Sequence, residues 1–452
     1  MLQKNQEIEL LIDGMTAEGS GVGHYDGQAV FVRGTAMGDE IVAHIILAKK
    51  NYAVGKISKI VKPSADRIEP DCDVSEKCGG CAFRHISYDA ELEIKQQKVV
   101  DAFTRIGHLD VPVSRVLGGT TDAYRNKAQF PVANDTRDNS LLIGFYAWNT
   151  HRIVPCKSCK LQHPIFEDIL NIISNWADEN KVPAYDEKTG RGLLRHIYIR
   201  RAHKSGEIMV CLVISGDSIP AKDDLITDLL AGVKNIKSIV LNINREDTNV
   251  VMGRKCINLL GDGYISDELL GKTFRISPLS FYQVNSEQCE VLYSKAAEFA
   301  DLKGSETLLD LYCGTGTIGL TMADKVKRLV GVEIVPEAIE DAKKNAEING
   351  VTNAEFYCGD AAKIVKDLEI KPDVILIDPP RKGMAESLIH DIVGMDPKKV
   401  VYVSCDPATL ARDCAKFTEL GYYVVSARPV DMFPRTAHVE CVVLMSRVDK
   451  KE

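Results

Sequence analysis

The residues best suited to chemistry gather in the last third of the chain, around Cys405. Val401-Tyr402-Val403-Ser404-Cys405-Asp406-Pro407 is a short β-branched run ending in a cysteine, after which Asp-Pro stops the strand and predicts a helix from near Ala408. Ligands of an open α/β sheet bind at the carboxyl ends of its strands, so this thiol falls where a ligand would lie. An isolated free cysteine is more often buried filler. Here Asp378-Pro379-Pro380-Arg381 ends the preceding strand and Glu440 follows in a C-terminal hairpin, which makes Cys405 a candidate reactive thiol.

A second group is Cys72-x5-Cys78-Gly79-Gly80-Cys81, with Cys156 and Cys159 much later. Three cysteines within ten residues, with glycines that let the loop fold back, make a ligand cluster. It suits zinc in a tetrahedron of thiolates or an iron–sulfur cluster held by four cysteines, and spacing leaves both open. Either would staple and orient a domain.

A third is Gly314-x-Gly316-x-x-Gly319, with Asp310 ahead of it and Glu333 fourteen residues beyond. The glycines let backbone approach a ligand, and an acid at the next strand's end binds ribose hydroxyls. Nicotinamide and S-adenosylmethionine enzymes share that physics. Two features favour the latter: Asp310 can meet a cationic aminoacyl tail, and Asp378-Pro379-Pro380 resembles a motif of methyltransferases acting on planar nitrogenous bases. No separate apparatus for hydride transfer is visible.

The elements around these groups divide the chain in three. Residues 1–62 alternate apolar and polar positions in short runs split by Gly19-Ser20-Gly21 and Asp26-Gly27, which predicts a small β-barrel. It resembles a TRAM domain, an OB-like barrel of the kind that binds single-stranded nucleic acid. Residues 63–265 form a central α+β region with the cysteines, a helix over 88–107 that can pack on the C-terminal part, and two basic strands. Those strands carry Arg125 and Lys127, and Arg191, Arg195, His196, Arg200 and Arg201; basic groups interleaved with Tyr or Phe suit phosphate contact with base stacking. From 266 to 452 strands and helices alternate, the signature of a Rossmann-like parallel sheet.

Composition sets outer bounds. With 452 residues, 45% hydrophobic and 27% charged, the chain reads as a multidomain soluble enzyme. No apolar run reaches the ~18–20 residues of a membrane span, and the first residues lack a signal-peptide pattern, so a cytoplasmic protein without a membrane partner is expected. Thirteen cysteines there imply thiols, ligands or nucleophiles, not disulfides. The net charge of −8 resides mostly in 266–452, with 23 basic against 30 acidic residues, so it does not exclude RNA.

Five motifs in order carry a resemblance over essentially the whole chain: Phe281-Tyr282-Gln283-Val284-Asn285, Asp310-Leu311-Tyr312-Cys313-Gly314-Thr315-Gly316, Asp378-Pro379-Pro380-Arg381-Lys382-Gly383, Ser404-Cys405-Asp406-Pro407 and Phe433-Pro434-x3-His438-Val439-Glu440. This set resembles the RNA uracil-5-methyltransferase family, and the barrel and cysteines are similar to its 23S rRNA branch. The resemblance implies methylation of uracil C5 in 23S rRNA, with S-adenosylmethionine as cofactor and a 4Fe-4S cluster on Cys72, Cys78, Cys81 and Cys159. Cys159-Lys160-Leu161-Gln162-His163-Pro164 fits the family's fourth-ligand pattern and Cys156 does not. It further implies Cys405 as the nucleophile and Glu440 as the base. By position Gln283, Tyr312, Gly314, Gly316, Thr317, Glu333, Asp360 and Asp378 would contact the cofactor. Phe281 would stack on a flipped-out target base, with Arg125, Lys127 and Arg381 on the RNA. A monomer is expected. Alternatives are the same chemistry on tRNA, an amino-group methyltransferase that needs no thiol, and a non-catalytic RNA-binding assembly factor.

Overall fold

The computed structural model describes residues 2–138 and 140–447. Six strands from Glu7–Leu11 to Tyr52–Lys62 form the first sheet. Their alternation builds it: Ile8, Leu10, Val30, Val32, Ile41, Ala43 and Ile45 turn to one side and bury one another. The sheet curls over itself, and a Cβ at Gly23 would lie 2.3 Å from the Leu11 carbonyl oxygen. The segment that follows is tied back to it, Arg67 pairing with the buried Asp39 at 2.8 Å.

A seven-stranded sheet follows, with Leu194–Arg201 near its middle between Lys127–Asn134 and Ile208–Ile214. Helices Ile165–Glu179 and Lys222–Gly232 cover one face with Phe166, Ile169, Trp176, Leu225 and Leu229. The other face shares a core with the C-terminal part through Tyr198, Met209 and Cys211. That central place corrects one expectation: Arg195, His196 and Arg200 are buried instead of facing solvent. Arg195 donates to the carbonyls of Asn244 (3.0 Å) and Glu246 (2.9 Å), and Arg200 to that of Ser280 (3.3 Å). Arg125 precedes the strand that begins at Lys127 and is held by single bridges to Gln162 and Asn285.

The predicted helix over 88–107 is divided. Tyr88–Asp101 is α-helical, capped by Ser87, whose hydroxyl accepts from the Ala90 N–H at 3.3 Å. Ala102–Gly107 is wound as a π-helix and ends at His108 in the left-handed region (φ 51°). Val99, Ala102 and Phe103 pack into the core of the C-terminal sheet. Gly107 passes so close to Ala411 that a Cβ would lie 3.0 Å from its carbonyl oxygen.

That last sheet runs Ala354–Cys358, Arg328–Glu333, Thr307–Leu311, Val374–Ile377, Lys399–Ser404, Glu440–Arg447, Tyr422–Val430 in space. The first five are parallel and the Glu440 strand is antiparallel to both neighbours. Helices cover both faces, so the inner strands read as continuous Val, Ile and Leu. Building direction reverses between Thr307–Leu311 and Val374–Ile377, and the carboxyl ends at such a reversal are where ligands of open α/β sheets bind. No helix among the described residues is long and apolar enough to cross a membrane.

Candidate active site

Three strands deliver the chemical groups to one place. Val374–Ile377 ends at Asp378, Lys399–Ser404 ends at Cys405, and Glu440 opens the antiparallel strand. Register pairs Ile377 with Tyr402 and Ser404 with Cys441. Cys405 follows and Glu440 precedes this last pair, and the Glu440 charge acts on the Cys405 thiol. Asp406 then caps helix Pro407–Glu419, its carboxylate accepting from the N–H groups of Ala408 (2.9 Å) and Thr409 (3.0 Å). Cys405 thus lies just ahead of a helix N-terminus, whose partial positive charge favours a thiolate.

The electrostatics concern protons. Burial pushes Glu440 up to about 8; Asp378 adds to this and Arg381 opposes it. Desolvation lifts Asp378 to about 7. Burial raises Cys405 to about 11, with Glu440 and Asp378 adding and the Arg381 guanidinium pulling back. His438 is pushed down to about 4, first by burial and then by Arg381, Lys98, Lys95 and Arg125, so it is neutral. Carboxyls that titrate near neutrality beside a thiol suit proton removal during covalent catalysis.

The glycine loop lies at the carboxyl end of Thr307–Leu311. Asp310 is buried; one oxygen accepts from the Gly319 N–H at 3.0 Å, and Oδ1 has no partner among the described residues. Burial pushes this acid up to about 8, helped by Asp378 and Glu333. Gly319 is required by contact, since a Cβ would lie 2.6 Å from Asp310 Oδ2. Tyr312 (φ 63°) and Gly314 (φ 56°) turn the chain, and nothing lies within 4 Å above Gly314. Glu333 accepts from the N–H groups of Gly314 (3.1 Å) and Val335 (2.9 Å), while Asp360 caps the next helix through Ala362 at 3.1 Å. Thr317 and Tyr293 share a hydroxyl contact of 3.1 Å. An unpartnered acid below an open glycine turn fits a cationic nucleoside-linked ligand such as S-adenosylmethionine.

Other expected residues lie further out. Gln283 is buried and its carbonyl accepts from Asn126 Nδ2 at 2.8 Å. Phe281 is 68% exposed, which rules out a core role. Arg381 is exposed. Lys127 is held down to about 8 by burial and by the charges of Arg200 and Arg125.

Cys72, Cys156 and Cys159 line one cavity of about 930 Å³. Cys78 and Cys81 stand close enough for all five thiols to act on one another, and burial with this crowding pushes Cys81 and Cys156 up to about 12. Even so, among the described residues no three His, Cys, Asp or Glu are close enough to hold a single metal ion. A zinc tetrahedron would need sulfurs about 3.8 Å apart. An all-thiol donor set is one that zinc and iron–sulfur clusters both use. Arg84, missed in the sequence, pairs with Asp71 (2.5 Å) and Asp122 (2.7 Å) and pins this loop. Its place three residues after Cys81 was the available signal.

A doubly wound sheet whose last strand in the chain, Glu440–Arg447, runs antiparallel, with an acid and glycine loop at its first, defines the class: a methyltransferase fold with a site for S-adenosylmethionine. The comparisons narrow it. Residues 254–448 match the model of the tRNA (Uracil-5-)-methyltransferase family, and residues 2–58 match the TRAM domain. An RNA methyltransferase of Clostridium tetani is 46% identical over 100% of this chain and 99% of its own length. Another, from Caldanaerobacter subterraneus, is 43% identical over 98% of each. The tRNA (uracil-54, C5)-methyltransferase of Pyrococcus abyssi, solved with S-adenosyl-L-homocysteine, superposes with a TM-score of 0.78 at 28% identity, covering 97% of this chain and 99% of that one. The chain belongs to the RNA uracil-5-methyltransferase family.

Proposed function

We propose that the protein methylates C5 of a uridine in 23S rRNA through a transient bond from Cys405 to uracil C6. The observation that carries this is the gathering of Cys405, Glu440 and Asp378 at neighbouring strand ends, close enough for both carboxyls to act on the thiol. C5 of uracil is too weak a nucleophile by itself. Addition of the Cys405 thiolate to C6 moves the ring electrons into an enolate with density at C5. S-adenosylmethionine supplies the electrophilic methyl. Glu440 then takes the C5 proton, the C5–C6 double bond re-forms, and the thiolate leaves. Arg381 holds Cys405 toward its charged form, and Asp378 bonds the uracil edge or the cofactor amine. Asp310, Glu333 and Asp360 embrace the cofactor with Gln283, Tyr312, Gly314, Gly316 and Thr317. Phe281 stacks on the extruded base, and Arg125 and Lys127 meet the RNA backbone.

Cys72, Cys78, Cys81 and Cys159 would hold a 4Fe-4S cluster, a staple for the loop around it. The barrel and these cysteines support rRNA as substrate. A second reading, uridine in tRNA, is favoured by the full-length likeness to the Pyrococcus abyssi enzyme. Incubation with undermodified 23S rRNA and, separately, unmodified tRNA, followed by mapping of labelled 5-methyluridine, decides between them. Label in rRNA alone supports the first reading and label in tRNA alone the second. Label on an exocyclic nitrogen contradicts both.

A further inference from the structure

The segment Asp431–Ala437 leads into Glu440, yet little of the sheet that bears Glu440 holds it. Its backbone is gripped mostly by chain from before residue 127, with Asn285 Nδ2 also donating to the Met432 carbonyl at 3.2 Å. The Tyr124 hydroxyl donates to the Pro434 carbonyl at 3.0 Å, in a buried position. The N–H groups of Ala82 (2.8 Å) and Phe83 (3.2 Å) donate to the Arg435 carbonyl, and the Arg435 N–H donates to Glu91 at 2.7 Å. Lys95 donates to the Phe433 carbonyl at 3.2 Å and pairs with Asp431 at 2.7 Å. Lys98 bridges two carbonyls, Ala437 at 2.9 Å and Ala17 of the N-terminal sheet at 3.0 Å, and Ala437 packs against the Phe83, Ile86 and Ala90 cluster. Thr436 closes the turn, its hydroxyl donating to the Phe433 carbonyl (2.7 Å) and accepting from the His438 N–H (3.3 Å). A displacement of Pro434 or Ala437 is therefore passed directly to His438, Val439 and Glu440.

We propose that Tyr124 and Lys98 are positioning residues for Glu440, acting through Pro434 and Ala437. The proposal rests on Glu440 as the base. It locates their effect in one step: loss of the C5 proton, in which the C5–H electrons re-form the C5–C6 bond and the Cys405 sulfur leaves with its pair. Formation of the Cys405–C6 bond does not use this loop.

The test is single-turnover kinetics on the full-length enzyme with substrate RNA, comparing the parent with Tyr124→Phe and Lys98→Met. Covalent protein–RNA complex is quantified on denaturing gels and released 5-methyluridine in parallel. The expected result is an unchanged rate of adduct formation with resolution slowed roughly tenfold or more, as small misplacements of catalytic groups produce. Methylated adduct then accumulates, and the double variant is less than additive because both act on one loop. Equal slowing of both steps, or parental behaviour of both variants, overturns the proposal. Thermal denaturation of Tyr124→Phe, the milder change, identifies a loss of folding, which would also slow both steps. If the parent itself forms no Cys405-dependent adduct, the functional reading fails and not this inference alone.

Discussion

Cys405 and Glu440 flank the last pair of an antiparallel ladder, Ser404–Cys441, close enough for the Glu440 charge to raise the Cys405 thiol. The ladder that Val400–Val403 make with Val442–Met445 holds the two strands in register up to this pair. On the proposed mechanism this brings the group that adds to the ring and the group that frees it to one end of the sheet.

The proton inventory gives the pH dependence. On the proposed mechanism Glu440 must be ionised to act; burial holds its proton to about 8, while Cys405 is raised to about 11. In single-turnover assays the rate is expected to rise from pH 6 to 9. Arg381 lowers both groups, so Arg381→Met should shift the profile to higher pH and lower the rate at pH 7. A flat profile in the parent would contradict this assignment.

Stability should run the other way. Unfolded, Glu440 loses its proton near 4.5, and folded it keeps it to about 8. Between those values the folded state binds more protons, so stability falls as pH rises through the window. Glu440→Gln removes this dependence: its melting temperature should decline less steeply than the parent's from pH 5 to 8, measured by calorimetry across that range.

Lys95 is buried with Glu91 (2.6 Å) and Asp431 (2.7 Å) as partners. Lys95→Met leaves buried Asp431 without its cation and Glu91 with only Arg435 at 3.7 Å, and should cost about 3–5 kcal/mol, read from denaturant unfolding. Glu91, already pushed up to about 7 by burial, should take a proton in the variant, so the loss should shrink toward pH 5.

The cysteines separate by substitution. Cys159→Ser should lose iron and visible absorbance, whereas Cys156→Ser should retain both. Iron bound by both variants alike would reassign the fourth ligand, and stoichiometric zinc in the parent would replace the cluster.

Much of the framework around Cys405 was legible because the signals that end a strand and start a helix are local. Val401–Pro407 spells a buried strand, a polar stop and a capped helix within seven residues, and the structure realises each. The glycine turn was legible for the same reason, since contacts such as Gly319 on Asp310 admit no side chain. Arg195 and Arg200 were misread because burial of a basic strand depends on neighbours distant in sequence, here Lys127–Asn134 and Ile208–Ile214. The grip of Tyr124, Lys95 and Lys98 on the Glu440 loop was invisible for that reason too: its partners lie more than 300 residues apart. The π-wound turn at Ala102–Gly107 has no sequence signal that we can identify.

The most direct measurement uses RNA in which 5-fluorouridine replaces the target uridine. Fluorine at C5 cannot be removed as a proton, so the methylated intermediate cannot release its thiol. Peptide mapping by mass spectrometry should find that nucleotide, carrying one added methyl, bonded to Cys405 in the parent, and no adduct in Cys405→Ala. Unmodified Cys405 after incubation with cofactor, or a Cys405→Ser enzyme that methylates ordinary RNA at the parental rate, would contradict the account.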